Sequence, residues 1–237
     1  MLTKHWDDLP DFMKCDEVKH YYDILDKKRK SLYFKRLFDI VFAVILTVLL
    51  LPIMLVIAVI IAVDSPGCVL FRQERVTTNG KIFKIYKFRT MKSNINGSQI
   101  TYKDDERITK VGHILRKYRL DEIVQLFNVY SGDMTFVGTR PEVPKYVNQY
   151  TSEMRATLLL PAGVMSITSL KYKNESLLIV SPNQNDSIYT QHILPEKMML
   201  NLRALQTWTF YNDVKVIFLT IVSFVDGNAV GRFRFCL

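Results

Sequence analysis

The sequence predicts an α+β chain that is mainly helical, attached to a membrane, and built around one small β-hairpin. Three observations lead there: no charge interrupts the chain from Ile40 to Val63, Asn79-Gly80 separates two apolar-rich runs, and apolar residues recur at helical spacing near 123–130 and 194–219. At 237 residues the chain has room for one sizeable core plus an appendage. It divides into a polar N-terminal extension over residues 1–34, a membrane segment over 35–63, a main unit over 64–222 and a tail over 223–237.

In the extension, Tyr21, Tyr22, Ile24 and Leu25 are the main apolar cluster, which reads as a short helix or a loosely ordered lead-in with no chemistry of its own. The apolar run that follows is long enough to reach across a hydrocarbon core about 30 Å thick. It starts about forty residues in, too late and too long for a cleaved signal peptide. Lys27, Lys28, Arg29, Lys30, Lys35 and Arg36 precede it, and Arg72, Arg75, Lys81, Lys84, Lys87 and Arg89 follow it. Basic flanks favour the cytoplasmic side, so a single crossing would strand one cluster. Pro52 removes a backbone donor and crowds the carbonyl of Val48, so a bend is expected there, with Thr47 placed to hydrogen-bond a freed carbonyl. A helix that enters, bends at Pro52 and returns to the same face satisfies both flanks; a single span with a tolerated proline is the other reading. Asp39 is expected near the interface, paired with Lys35 or Arg36 and orienting the helix.

Asp64-Ser65-Pro66-Gly67 marks a turn, and Val69 to Val76 reads as a strand. Asn79-Gly80 is a two-residue hairpin signature, with Ile82 to Met91 as the return strand, in which Lys87 and Arg89 share a face. Residues 92–106 are polar and loop-like. Val111, Ile114 and Leu115 then suggest a helix, and Ile123, Leu126, Phe127 and Tyr130 a second one beginning near Leu120. Ser131-Gly132-Asp133 ends it, and Met134 to Val137 is a strand delivering Arg140. Pro161-Ala162-Gly163 and Ser181-Pro182-Asn183 punctuate the remainder. Leu194 to Leu219 reads as one or two amphipathic helices, facing the core or lying on a bilayer surface.

Lys and Arg number 32 against 23 Asp and Glu, a net charge of +9, which points to a polyanionic partner: nucleic acid, an anionic membrane face or phosphorylated small molecules. Cys15, Cys68 and Cys236 are odd in number and widely spaced, which suits neither a disulfide framework nor a zinc site. The chemistry concentrates at Asp121-Glu122, a carboxylate pair between Arg116, Arg119 and Arg140. A carboxylate can be a nucleophile or hold a divalent cation, and guanidinium groups clamp phosphoryl oxygens. The competing reading is a dipole-compensating first helical turn. In that first turn the helix terminus would lower both carboxyl pKa values, which suits a metal ligand or nucleophile better than a general acid.

The order Lys35-Arg36-x-x-Asp39, the apolar run with Pro52, Phe71-Arg72-Gln73-x-Arg75, Phe83 to Met91, Leu120-Asp121-Glu122-x-x-Gln125-Leu126-x-Asn128 and Gly132-Asp133-Met134-x-x-Val137-Gly138-x-Arg140-Pro141 resembles the bacterial sugar transferase family, the small monotopic polyprenyl-phosphate phosphoglycosyl transferases. The resemblance runs over about residues 35–220. It implies a re-entrant helix bent at Pro52, interfacial amphipathic helices, and a catalytic domain over 64–222 at the cytoplasmic face of the bacterial inner membrane. It implies transfer of a phospho-sugar from a UDP-sugar donor to undecaprenyl phosphate with release of UMP, initiating a capsule, exopolysaccharide or O-antigen. On this resemblance Asp121 is the nucleophile of a phosphosugar-aspartyl intermediate, Glu122 a ligand of the required Mg²⁺, and Lys87, Arg116 and Arg140 bind substrate phosphates. A homo-oligomer is left open. The chain departs from the family pattern at Leu51, Thr77, Thr139 and Leu160, where serine, glycine, proline and arginine are usual. The competing function is a non-enzymatic, membrane-anchored basic module that binds anionic lipid or polymer. A nucleic-acid partner is not expected, because no motif that reads RNA or DNA accompanies the basic residues.

Overall fold

A computed structural model describes residues 4–92, 105–172 and 189–225. Ser181-Pro182-Asn183 and most of the tail lie outside the described residues. The order is α1 (Asp16–Asp26), α2 (Arg29–Asp64), β1 (Leu70–Val76), β2 (Ile82–Phe88), α3 (Lys110–Lys117), a 3₁₀ helix (Leu120–Gln125), α4 (Leu126–Ser131), β3 (Met134–Val137), α5 (Pro144–Val147), a second 3₁₀ helix (Glu153–Leu159), β4 (Ala162–Met165), α6 (Ile167–Lys171), a π turn (Tyr189–Ile193), α7 (Leu194–Gln206) and α8 (Phe210–Val225). The α+β, mainly helical expectation holds.

The hairpin forms where Asn79-Gly80 signalled it. Asn79 and Gly80 both have positive φ, 58° and 75°, and Lys81 N–H donates to the Thr78 carbonyl, which makes a type I′ turn. The ladder itself begins at Val76↔Ile82, one residue out of step with that turn, so Thr77 forms a bulge. The bulge has a use: buried Thr77 donates its hydroxyl to the Asp133 carbonyl and accepts from Ala162 N–H, tying the hairpin to both strands of a second sheet. In that sheet β3 and β4 run parallel, with Met134 opposite Ala162. The β4 strand was not foreseen; Pro161-Ala162-Gly163 had read only as punctuation.

The helix α2 is 36 residues long with Pro52 inside it. Its two halves enter different parts of the interior. Ala43 packs in a cluster with Phe83, Leu126 and Met134, while Met54, Ile57 and Ile61 share another with Phe88, Leu115 and Val124. Large apolar side chains on both sides of Pro52 are left exposed, among them Val48, Leu49, Val59 and Val63. A patch of that extent marks a lipid or partner contact rather than a surface meant for water. Thr47 donates to the Ala43 carbonyl, one helical turn back, and not to the Val48 carbonyl that Pro52 leaves free. Asp39 is fully buried rather than interfacial. It accepts from the Thr135 hydroxyl at 2.6 Å, and Lys35, 3.9 Å away, sits between it and Asp213, 2.7 Å away.

Two arginines fasten the ends of α2. Arg36 donates to the carbonyls of Val129, Tyr130 and Met134, at the C-terminal end of α4 and the start of β3. Arg89 donates to the carbonyls of Ile61, Ser65 and Pro66, at the C-terminal end of α2. Both complement the unpaired carbonyls and partial negative charge of a helix terminus.

The N-terminal residues contribute to the core. Leu9, Met13, Val18 and Leu25 lie in one cluster with Tyr146, Leu159, Met198 and Leu202. Tyr21 donates to Glu153 at 2.7 Å, and Arg155 donates to the Phe12 carbonyl. Each fully buried side chain of this size is worth about 1.5–3 kcal/mol, so this segment helps hold the fold.

Candidate active site

Lys87 comes from β2, Arg116 from α3, Asp121 and Glu122 from the first 3₁₀ helix, and Arg140 from the loop after β3. Local chemistry fixes each element. Asn128, almost wholly buried, uses its side-chain amide as a two-sided plug: it accepts from Tyr86 N–H at 3.0 Å and donates to the Lys84 carbonyl at 2.9 Å. This sets the register of α4 against β2 and so brings Lys87 opposite the carboxylates. Thr109 caps α3 by accepting from Gly112 N–H. A Cβ at Gly112 would lie 2.2 Å from the Thr90 carbonyl oxygen, so only glycine lets α3 approach this closely. Thr90 in turn accepts from Arg116 Nε at 2.8 Å.

The Arg140 loop is held from two sides. Gly138 N–H donates to the Met165 carbonyl and Gly163 N–H to the Thr139 carbonyl, while Arg75 donates to the Pro141 carbonyl and Val76 N–H to that of Glu142. Threonine in the usual proline position therefore keeps its backbone contact with β4 through its carbonyl.

Glu122 is the electrostatic centre. Lys87 Nζ lies 2.8 Å and Arg140 Nη2 2.5 Å from its Oε1, and Arg119 Nη1 lies 3.6 Å from its Oε2. Burial is the largest single influence on Glu122 and raises its pKa, but Arg140, Lys87 and Arg119 together overcome it and hold the carboxyl well below its usual range. Asp121 next to it is buried and, among the described residues, has no hydrogen-bond or ion-pair partner. Burial pushes its pKa up, opposed by Lys87 and reinforced by the Glu122 charge. Arg116 also faces Asp121 electrostatically.

Three expectations need correction. The residues from Leu120 to Gln125 form a 3₁₀ helix rather than the start of one continuous α-helix, and α4 then turns Leu126, Asn128 and Val129 inward and leaves Phe127 and Tyr130 exposed. The pKa of Asp121 is raised rather than lowered, because desolvation outweighs the neighbouring positive charge. Both carboxyls do lie in a first helical turn, as the competing reading had it, but they are buried and Glu122 is met by three cations. Arg89, expected beside Lys87, instead caps α2.

All five residues singled out in the sequence are thus accounted for: Asp121 and Glu122 are adjacent, Lys87 and Arg140 touch Glu122, and Arg116 acts on Asp121. Arg119 was named only as a flanking arginine, with no role of its own. Its φ of 52° puts a non-glycine residue in the left-handed region, a conformation that costs about 1–2 kcal/mol and that side-chain types alone do not reveal.

The model of one protein family, described as bacterial sugar transferase, matches residues 30–227. The chain belongs to the bacterial sugar transferase family. Relatives of this sugar transferase include a UDP-glucose:undecaprenyl-phosphate glucose-1-phosphate transferase from Klebsiella pneumoniae, 35% identical over 84% of this chain and 42% of that protein. One of the same name from Caulobacter vibrioides is 31% identical over 82% of this chain and 70% of that protein. The galactosyl transferase CpsE of Streptococcus agalactiae is 31% identical over 65% of this chain and 34% of its own length. The aligned part of the chain thus spans a third to under a half of two of these three relatives. Residues 4–28, which pack into the core here, lie before the stretch that the family shares.

The metal implied by the family is compatible with the donor set. Mg²⁺ takes oxygen ligands, commonly one or two carboxylates completed by substrate phosphates and water. Glu122 supplies one such carboxylate, and would give up at least one cation contact to join.

Proposed function

We propose that this sugar transferase moves a phospho-sugar from a UDP-sugar to undecaprenyl phosphate through a covalent intermediate on Asp121, releasing UMP and initiating a surface glycan. The observation that carries this is the contrast within the dipeptide: Asp121 is buried with its oxygens unengaged, while Glu122 is held by Lys87, Arg140 and Arg119. An unengaged carboxylate beside three cations suits attack on phosphorus, because the cations attract the diphosphate and no partner blunts the nucleophile. An Asp121 oxygen bonds the sugar-bearing phosphorus as the bond to UMP breaks. An acceptor phosphate oxygen then takes that phosphorus as the bond to Asp121 breaks.

Glu122 acts meanwhile as a resident anion that keeps Lys87 and Arg140 aimed at the position of the donor phosphates. Glu122, with those phosphates, would hold Mg²⁺, which supplies further neutralisation of the diphosphate. Relatives are named for glucose, galactose and N-acetylgalactosamine, which supports a UDP-hexose or UDP-N-acetylhexosamine as the donor class.

The proposed location is the cytoplasmic face of the bacterial inner membrane, with α2 re-entrant and bent at Pro52. Support comes from Arg36 and Arg89, which tie both ends of α2 to one folded unit. A straight helix from Arg36 to Ile61 would be about 37 Å long, more than a 30 Å hydrocarbon core, and would carry those attachments to opposite sides. Tyr211, Val214, Phe218 and Ile221 are exposed along α8, as on a helix lying at an interface.

Purified protein with UDP-glucose, UDP-galactose and undecaprenyl phosphate tests the chemistry. The wild type releases UMP with Mg²⁺ and stops when EDTA is added, and Asp121→Asn loses turnover while still partitioning with membranes. Undiminished turnover by Asp121→Asn defeats the nucleophile assignment, and absence of UMP release by the wild type leaves the anchored basic module as the better reading.

A further inference from the structure

Glu122, Gln125 and Asn128 recur every three residues and form a buried polar row along β2. Residues three apart in a 3₁₀ helix eclipse, so Gln125 stands directly beyond Glu122, about 6 Å further along the axis. The outer two members are engaged: Glu122 meets Lys87, and the Asn128 amide meets the backbone of Tyr86 and Lys84. The middle one is idle. Gln125 is 1% exposed, and among the described residues neither its Oε1 nor its Nε2 has a hydrogen-bond partner. An amide buried with both ends unpaired costs stability, and an apolar side chain of the same length would fill the space without that cost. Such a group is explained by a partner that reaches it in another state of the site.

We propose that Gln125 is a positioning residue that takes hold of Glu122 when the donor binds. The inference rests on the donor diphosphate reaching Lys87 and Arg140, as proposed above. At rest those two cations hold the Glu122 carboxylate. Diphosphate oxygens compete for the same cations, and as they draw Lys87 and Arg140 away they leave a buried carboxylate beside an incoming anion. Gln125 Nε2 then donates to Glu122, and its Oε1 accepts from Lys87. A primary amide carries both polarities, so it enters an opened ion pair without leaving either charge bare. It is also neutral, so it steadies Glu122 without adding a charge that the diphosphate would feel. Asp121 lies about 120° around the 3₁₀ helix from that face, which keeps the amide off the proposed nucleophile.

Calorimetric titration of the purified protein with UDP in the presence of Mg²⁺, paired with thermal unfolding of the unliganded protein, tests this without turnover. Gln125→Met keeps the side-chain length and removes both polar atoms. The free protein should melt at the same temperature or higher, because no contact is lost at rest. UDP affinity should fall about ten-fold or more, as for the loss of a hydrogen bond to a charged group. A lowered midpoint would make Gln125 a prop of the resting fold, and an unchanged affinity would make it idle; either result overturns the role. In a Glu122→Gln background the same substitution should alter UDP affinity by less than about two-fold, since the charge that the amide answers is gone. An equal loss in both backgrounds would place the effect in packing and overturn the role as well. A wild type that binds no UDP would instead defeat the donor reading on which the inference stands, and the role of Gln125 with it.

Discussion

The charge state of Asp121 gives a signed test of the site. An aspartyl nucleophile must be ionised, so UMP release should fall as pH drops through the Asp121 pKa, which lies above the usual 3.8. Lys87 opposes that rise and Glu122 adds to it, so removing one or the other should move the acid limb in opposite directions. With the two neighbouring carboxylates taken as about 6 Å apart, their charges interact by about 3 kcal/mol at an effective dielectric of 20. That is about two pH units, and the partial neutralisation of Glu122 by Lys87 and Arg140 reduces it to about one. Glu122→Gln should therefore shift the limb down by about one unit. Lys87→Met should shift it up by about one to three units, since it removes an opposite charge and also leaves Glu122 less neutralised. A quenched-flow profile of the first UMP burst between about pH 4 and 9, without acceptor, reads the position of the limb independently of its height. Limbs that move the same way in both variants, or a Glu122→Gln limb that moves up, would refute the electrostatic account.

Three further outcomes follow from the scaffold. Arg89→Met removes the cap on α2 and should lower the thermal midpoint in detergent by about 5–10 °C, given roughly 2–3 kcal/mol for charged hydrogen bonds and 2–4 °C per kcal/mol at this size. Gly163→Ala places a Cβ 2.3 Å from Gly138 N and 2.5 Å from Gly138 O; since both are backbone atoms, β3 and β4 must part, costing about 1–3 kcal/mol and lowering turnover through a displaced Arg140. Single cysteines at the exposed positions Lys27 and Arg72, in a background without native cysteines, should both resist labelling from outside intact cells; labelling at just one would exclude the re-entrant topology.

What the sequence revealed was mostly what is local. Gly80 and Asn79 declared the hairpin turn, Gly132 the end of α4, and the uncharged run declared α2, because each depends on neighbours a few residues away. The site residues were legible only by their order along the chain, since what joins Lys87 to Glu122 is the amide of Asn128 plugging the edge of β2. β4 escaped notice because its four residues gain their strand character from β3, and the two glycines that let the strands meet are 25 positions apart. The N-terminal extension read as a short helix or a loosely ordered lead-in because its apolar residues are few, yet Met13 and Val18 are wholly buried in a cluster with residues of the C-terminal half. Arg89 and Lys87 share a strand face in the pattern, but the end of α2 claims one and the carboxylate the other.

Lys35 has a consequence for how the molecule is made. Its buried ammonium is matched by Asp213 at 2.7 Å, and Trp208 Nε1 donates to the same carboxylate at 3.1 Å. Those partners emerge from the ribosome roughly 170–180 residues after Lys35, a delay on the order of ten to thirty seconds at ordinary synthesis rates. Throughout that interval α2 carries an ammonium with only the more distant Asp39 to answer it. The anchor can therefore reach lipid early but settle into its final seat only when α8 arrives, so ribosomes stalled before Asp213 should display an anchored chain that is still open to protease.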